Sequence, residues 1–219
     1  MITFEDIKSS NEIKTYIEKA DIALSAQGFT EHSFAHVGKV AHIANELLIK
    51  LGYDRRTAEL ASIAGYMHDI GNVVNRVDHA QSGAIMAFRI LDKMGMDVAE
   101  IATIVSAIGN HDESTAVPVN VVAAALILAD KSDVRRSRVR NTDCATFDIH
   151  DRVNFSVENS SLTLKENKKE VELKLTIDKE IFEVMDYFEI FLGRMLLCRR
   201  AAEYLGLKFR LNINGVELL

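Results

Sequence analysis

The chain has 219 residues, a formal net charge of −6, 48% hydrophobic residues and 26% charged residues. This is the balance of an ordinary globular protein, long enough for one substantial domain plus a smaller one. The acidic charge argues against a general affinity for nucleic acid or anionic membrane, so a phosphate-bearing ligand would need a local positive site.

Met1-Ile2-Thr3-Phe4-Glu5-Asp6 lacks the basic start and apolar run of a signal peptide, and no apolar stretch is long enough to cross a bilayer. Cys144 and Cys198 are too few for a disulfide framework. A cytoplasmic, reduced setting is the expectation.

Up to about residue 140 the apolar period is near 3.6, which predicts helices. The first reads from Asn11 to Gly28, opening on an Asn cap, with Ile13, Ile17, Ala20 and Leu24 on one stripe. The next runs from His32 to Leu51 and is closed by Gly52. Asp54 caps a third, whose apolar set from Ala58 to Met67 leads into His68-Asp69-Ile70-Gly71. After a polar connection, Asp78 is placed to cap a helix from His79 to Met94, and Asp97 one from Val98 to about Asn110. Beyond Pro118, Val121 to about Arg138 reads as a very apolar, central helix. The change of pattern beyond about residue 140 predicts an N-terminal domain (1–145) and a C-terminal unit (146–219).

From Arg152 the period changes to two. Val153, Phe155 and Val157 alternate with polar residues, then Leu162 and Leu164, then Val171, Leu173, Leu175 and Ile177. A helix from Lys179 to about Leu205, stopped by Gly206, precedes a last strand at Phe209, Leu211 and Ile213. The fold expected is mainly α, with a helical bundle and a smaller C-terminal α+β unit of order β-β-β-α-β. Apolar groups such as Phe182, Ile190 and Leu197, off the main stripe of the long helix, suggest contact with the bundle or with a second subunit in a homodimer.

The chemistry-bearing residues are His36, His68-Asp69, His79, His111 and Asp130, each within or at the edge of a predicted helix. Taken singly, each histidine reads as a packed or capping residue. Taken together, imidazoles and carboxylates from separate helices can converge on a divalent metal inside a bundle. Asp130 sits in Val122-Ala123-Ala124-Ala125-Leu126-Ile127-Leu128-Ala129, where an unpaired carboxylate would be costly; a metal or a salt bridge to Lys131 would compensate it.

The order His36, His68-Asp69, His79, His111, Asp130 resembles the HD-domain superfamily of metal-dependent phosphohydrolases. The resemblance extends to His36-Val37-Gly38-Lys39-Val40, Met67-His68-Asp69-Ile70-Gly71, His79-Ala80-Gln81-Ser82-Gly83-Ala84, Gly109-Asn110-His111 and Leu128-Ala129-Asp130-Lys131, and covers about residues 32 to 135. It implies an all-helical domain in which His36, His68, Asp69 and Asp130 hold a first metal. Asp69 would bridge to a second ion held by His79 and His111. The chain departs from the cyclic-dinucleotide branch: Asp112 stands where a second consecutive histidine is found, Asn72 replaces a lysine, and the Gly-Tyr-Pro loop is missing.

The resemblance further implies hydrolysis of a small phosphoester, of a nucleotide or related molecule, by metal-activated hydroxide, with His68 and Asp69 at the reacting centre. The nitrogen and oxygen ligands admit Fe, Mn, Zn or Co, as one or two ions. Arg76, Lys131 and Arg135 are the expected phosphate-binding cations, Lys131 and Arg135 sharing a face one helical turn apart. Asp112 and Glu113 are candidates to orient water or to be solvated loop residues. His32, His42 and His150 match no ligand position and read as structural. Two alternatives stand: a di-iron oxygenase of HD type, resembling myo-inositol oxygenase, and a metal-bearing HD module used for sensing or assembly.

Overall fold

Polar side chains that satisfy free amide groups start most of the helices, and left-handed glycines end several of them. The computed structural model describes residues 1–113, 115–143, 146–147, 149–167, 169–178 and 184–218, with the backbone alone at 149–150 and 184–191. The helices are α1 (Phe4–Ser9), α2 (Asn11–Ala26), α3 (Phe34–Leu51), α4 (Arg55–Met67), α5 (His79–Met94), α6 (Val98–Gly109) and α7 (Val121–Ser132), followed by α8 (Ile149–Ser156) and α9 (Val184–Tyr204). Four strands complete the described fold: β1 (Val157–Leu164), β2 (Glu170–Ile177), β3 (Lys208–Ile213) and β4 (Val216–Glu217). Among the described residues no helix is long and apolar enough to cross a membrane.

Asp54 accepts from the Thr57 amide, Asp97 from those of Ala99 and Glu100, and Asn120 from that of Ala123. Gly52 and Gly95 close α3 and α5 in the left-handed region, with φ of 93° and 81°. Two caps differ from expectation. Ser10, not Asn11, caps α2, because its hydroxyl accepts from the Ile13 amide. Asp78 occupies the position before α5, but its backbone is left-handed (φ 56°) and its side chain makes no cap bond.

Helix α7 is central, as its apolar run predicts: every residue from Val122 to Ser132 is buried. It ends at Ser132 rather than near Arg138. At Asp133 the chain leaves the helix, and the wholly buried carboxylate accepts from His36 Nδ1 (2.8 Å), Lys39 Nζ (2.8 Å) and Arg135 Nε (3.0 Å). A short 3-10 turn, Arg136–Arg138, follows, and Arg138 donates to the carbonyls of Glu31 and Asp133 (both 2.8 Å). The arginine-rich end is thus folded inward by carbonyl and carboxylate acceptors.

The C-terminal region has the expected mix of sheet and helix, with a different strand order. Residues 149–156 form α8, where the alternation of Val153, Phe155 and Val157 predicts a strand. Val153 and Val157 are also four apart, so a short window fits a buried helical face equally well; both are fully buried. Two strands precede α9 and two follow it, in the sheet order β1-β2-β3-β4. The β1–β2 and β3–β4 pairs are antiparallel, and β2–β3 is parallel, with α9 as the crossover. Val171, Leu173, Leu175 and Ile177 on β2 share a buried face with Phe209, Leu211 and Ile213 on β3, as their alternation predicts. This face, α9 and α7 belong to one continuous apolar core. The expected start of the last helix at Lys179, with Phe182, the side chain of Ile190, and Cys144, lie outside the described residues.

Candidate metal centre

His36 projects from the first turn of α3, His68 and Asp69 from the end of α4, His79 from the start of α5, His111 from just after α6, and Asp130 from the last turn of α7. Close packing brings these ends together. A Cβ on Gly71 would lie 2.0 Å from the His79 carbonyl oxygen and 2.4 Å from the Gly83 amide nitrogen, so only glycine permits this crossing. A Cβ on Gly65 would come within 2.9 Å of the Ala41 backbone, which sets α4 tightly against α3.

All six residues are buried, none more than 9% exposed. His36 Nε2 lies 3.3 Å from Asp130 Oδ1 and 3.6 Å from Asp69 Oδ2. His68 Nε2 lies 3.2 Å from Asp69 Oδ2 and 3.7 Å from Asp130 Oδ1. On the other side, Asp69 Oδ1 is 3.6 Å from His79 Nε2, which in turn is 3.2 Å from His111 Nε2. Asp112 Oδ1 stands 4.0 Å from His79 Nε2.

The outer face of each ring fixes its tautomer. His68 Nδ1 donates to Gly65 O (2.8 Å), His79 Nδ1 to Arg76 O (3.0 Å) and His111 Nδ1 to Ile108 O (2.6 Å), while His36 Nδ1 donates to Asp133 Oδ2 (2.8 Å). A carbonyl can only accept, so each proton must sit on Nδ1, and a neutral ring then turns the lone pair of Nε2 inward. His36 Nε2, His68 Nε2 and Asp69 Oδ2 are buried without a hydrogen-bond partner. Six inward-facing groups, nearly all acceptors, meet in one small volume.

The electrostatics express the same deficit of positive charge. Burial opposes a charge on His68, but Asp69 and Asp130 push its imidazole up to about 10, so in the metal-free protein a proton there supplies the missing cation. Burial pushes His111 down to about 3 and also lowers His79, so these two rings are neutral and face each other lone pair to lone pair. Burial would raise Asp69 and Asp130, yet both are held well below the usual carboxylate range. His68 dominates for Asp69, Lys131 for Asp130. The donor set therefore fits a divalent ion. His36, His68 and Asp130 form one group able to hold it, and His68, Asp69 and His111 another.

Asp69, His79, His111 and Asp130 line a cavity of about 320 Å³. Arg76 and Lys131 line it too. Arg76 reaches Asn72 Oδ1 (3.3 Å) and lies over the Phe29 ring, and Lys131 Nζ is 2.7 Å from Asp130 Oδ2. Arg135 is placed elsewhere: it pairs with Asp133 and, at 3.1 Å, with Glu31, and it is not part of the cavity wall. The early end of α7 removes the helical face it would have shared with Lys131, and Arg138 takes the position on the cavity instead. Asp112 and Glu113 both line the cavity, Glu113 accepting from Arg194 Nε (2.7 Å) with Lys131 Nζ at 3.5 Å.

Several lining or supporting residues were not expected as members of the site. Asn72 donates to both Asp69 Oδ1 and the Asp69 carbonyl (each 2.9 Å), which orients the carboxylate. Asp133 does the same for His36, and its spacing of three from Asp130 was the available clue. His32, expected to be structural, lines the cavity with Nδ1 donating to Thr30 O (2.7 Å), whereas His42 is exposed beside Glu46. Asp151 and Asn154 from α8 and Arg194 from α9 bring the C-terminal region into the wall.

The chain belongs to the HD domain family, whose model matches residues 33–190. HD domains bind divalent metals, and the His/Asp groups described here are able to hold one. The chain is similar to an uncharacterized protein of Methanocaldococcus jannaschii, MJ1020. The two are 22% identical over 207 positions, spanning 84% of this chain and 80% of that protein. Among solved structures it is similar to a predicted HD superfamily hydrolase from an uncultured Thermotogales bacterium. That likeness has 28% identity and a TM-score of 0.45, over 57% of this chain and 67% of the other.

Proposed function

We propose that this protein is a metal-dependent hydrolase of small phosphoesters. The observation that carries the reading is the inward convergence of four imidazole Nε2 atoms on Asp69 and Asp130, with every Nδ1 already committed outward. His36, His68 and Asp130 would hold one ion. Asp69 points one oxygen at His36 and His68 and the other at His79, which supports a bridging role towards a second ion beside His79 and His111. Imidazole and carboxylate donors favour Fe, Mn, Zn or Co. Such an ion, when bound, lowers the pKa of water and polarises a phosphoryl oxygen.

The protein's own groups do the rest. Asn72 holds Asp69 in register, and Asp133 holds the His36 ring. Arg76, Lys131 and Arg138 line the cavity as cations for phosphate oxygens, and Arg138 keeps a fixed orientation because two carbonyls already bind its guanidinium. Asp112, beside His79, is positioned to orient a water molecule.

The test is metal analysis of the purified protein together with phosphate release from nucleotides, dinucleotides and simple phosphomonoesters. Metal-dependent release that persists without oxygen supports the hydrolase. An oxygen-dependent product would instead identify the oxidative chemistry of which this ligand type is also capable.

A further inference from the structure

Asp130 faces two ways. Its Oδ1 lies 3.3 Å from His36 Nε2 and 3.7 Å from His68 Nε2, and its Oδ2 lies 2.7 Å from Lys131 Nζ. Lys131 is almost wholly buried, so water screens its ammonium little. There it competes with a divalent ion: it occupies one oxygen of a metal ligand and repels the incoming charge. How strongly it competes depends on what else it touches. Glu113 Oε1 is 3.5 Å from Lys131 Nζ and 2.7 Å from Arg194 Nε, so this carboxylate divides its charge between two cations. Glu113 follows His111 by two residues, and Arg194 stands on α9, beyond the residues 33–190 that match the family. Helix α9 packs on α7, and Arg194, Glu113, Lys131 and Asp130 all line the same cavity.

We infer that Arg194 is a positioning residue for the metal centre, which acts through Glu113 to keep Lys131 on Asp130 and so limits how tightly the ion is held. Charges alternate along Arg194, Glu113, Lys131 and Asp130. Without the arginine, the whole carboxylate of Glu113 attracts Lys131 and draws it off Asp130 Oδ2. Without the charge on Glu113, Lys131 settles fully on Asp130. The two substitutions therefore change metal affinity in opposite directions, whereas loss of a merely structural pair weakens binding in both. Only the metal part of the reading above is assumed, not the reaction.

Manganese titrated calorimetrically into the metal-free protein reads the effect without turnover. Arg194→Ala should bind manganese about tenfold more tightly than wild type, and Glu113→Gln about tenfold more weakly, the size being limited because solvent partly screens the Glu113–Arg194 pair. Arg194→Lys, which keeps the charge, should bind as wild type does. Simple repulsion between Arg194 and the ion would also tighten binding in Arg194→Ala, but it would persist once the Glu113 charge is gone. In the Glu113→Gln background, Arg194→Ala should instead change the affinity by less than about twofold. Weaker or unchanged binding in Arg194→Ala, or a gain that persists in the double variant, overturns the inference. If Arg194→Ala does not fold, Arg194→Met, which keeps an aliphatic stem, takes its place under the same criteria. A wild type that binds no manganese removes the metal reading, and the role of Arg194 with it.

Discussion

The metal centre built by α3 to α7 and the part of the cavity wall built by α8 and α9 are made differently. In the first, five of the six groups have an outer partner: carbonyls for three imidazoles, Asp133 for the fourth, Asn72 for Asp69; the sixth, Asp130, pairs with Lys131 on the cavity wall. In the second, Asp151, Asn154 and Arg194 come from two helices that pack on each other, α8 also on the Arg136–Arg138 turn and α9 also on α7 and β3, and Arg194 donates to Glu113 of the first part. The contrast teaches that the metal centre is held by hydrogen bonds local to its ligand groups, whereas the rest of the wall depends on how the C-terminal helices pack onto the bundle. Mutations on the two sides should therefore fail in different ways.

The largest effect is expected at the shared carboxylate. Asp69→Ala should abolish metal binding and lower phosphate release by about a thousandfold or more, since metal-activated water and phosphate positioning are lost together. Metal analysis and turnover check it, and unaltered turnover in a folded variant would defeat the enzymatic assignment. Next comes Gly71→Ala. A methyl group 2.0 Å from the His79 carbonyl must push α5 away, costing about 2–4 kcal/mol in thermal unfolding and displacing His79.

Asp133→Asn keeps the shape but weakens the acceptor behind His36. Metal affinity should drop about 10–100-fold, with turnover recovering at high metal concentration. No recovery at any concentration would assign Asp133 a more direct role.

A pH series sharpens the contrast further. In the metal-free protein His68 titrates at about 10, above its ordinary value of 6.5. The folded state then holds a proton that the unfolded state loses, so this contribution is full below 6.5 and disappears as pH rises towards 10. Metal should remove that alkaline loss by displacing the proton, and chemical denaturation with and without metal measures it. His111 has the opposite sign: with its value at about 3, stability is lost as pH falls from 6.5 towards 3. The smallest effect is expected at Arg135, which bonds Asp133 and Glu31 outside the cavity. Arg135→Ala should cost about 1 kcal/mol and change KM by less than about twofold, against a larger KM increase for Arg138→Ala.

The difference between the two parts also sets what could be read from the sequence. The helices α2 to α7 were legible because caps, glycines and a 3.6-residue period agree. The convergence of His36, His68, Asp69, His79, His111 and Asp130 was legible because few other roles place so many imidazoles and carboxylates at the ends of apolar helices. The end of α7 was hidden, because the break at Asp133 is caused by long-range partners, His36 and Lys39, that no local pattern contains. For that reason Arg138, not the expected Arg135, lines the cavity. Residues 153–157 fit a strand and a helix alike, and only packing against the Arg136–Arg138 turn and α9 decides between them. Asp151 and Asn154 were therefore invisible as neighbours, since their shared face exists only once α8 is a helix.

The most direct test is a crystal structure of the protein loaded with manganese or iron, with anomalous scattering used to locate the metal. The account predicts a peak bounded by His36 Nε2, His68 Nε2 and Asp130, with Asp69 reaching from it towards His79 and His111. A map with no peak, in which His68 keeps its proton and Lys131 alone neutralises Asp130, would contradict it.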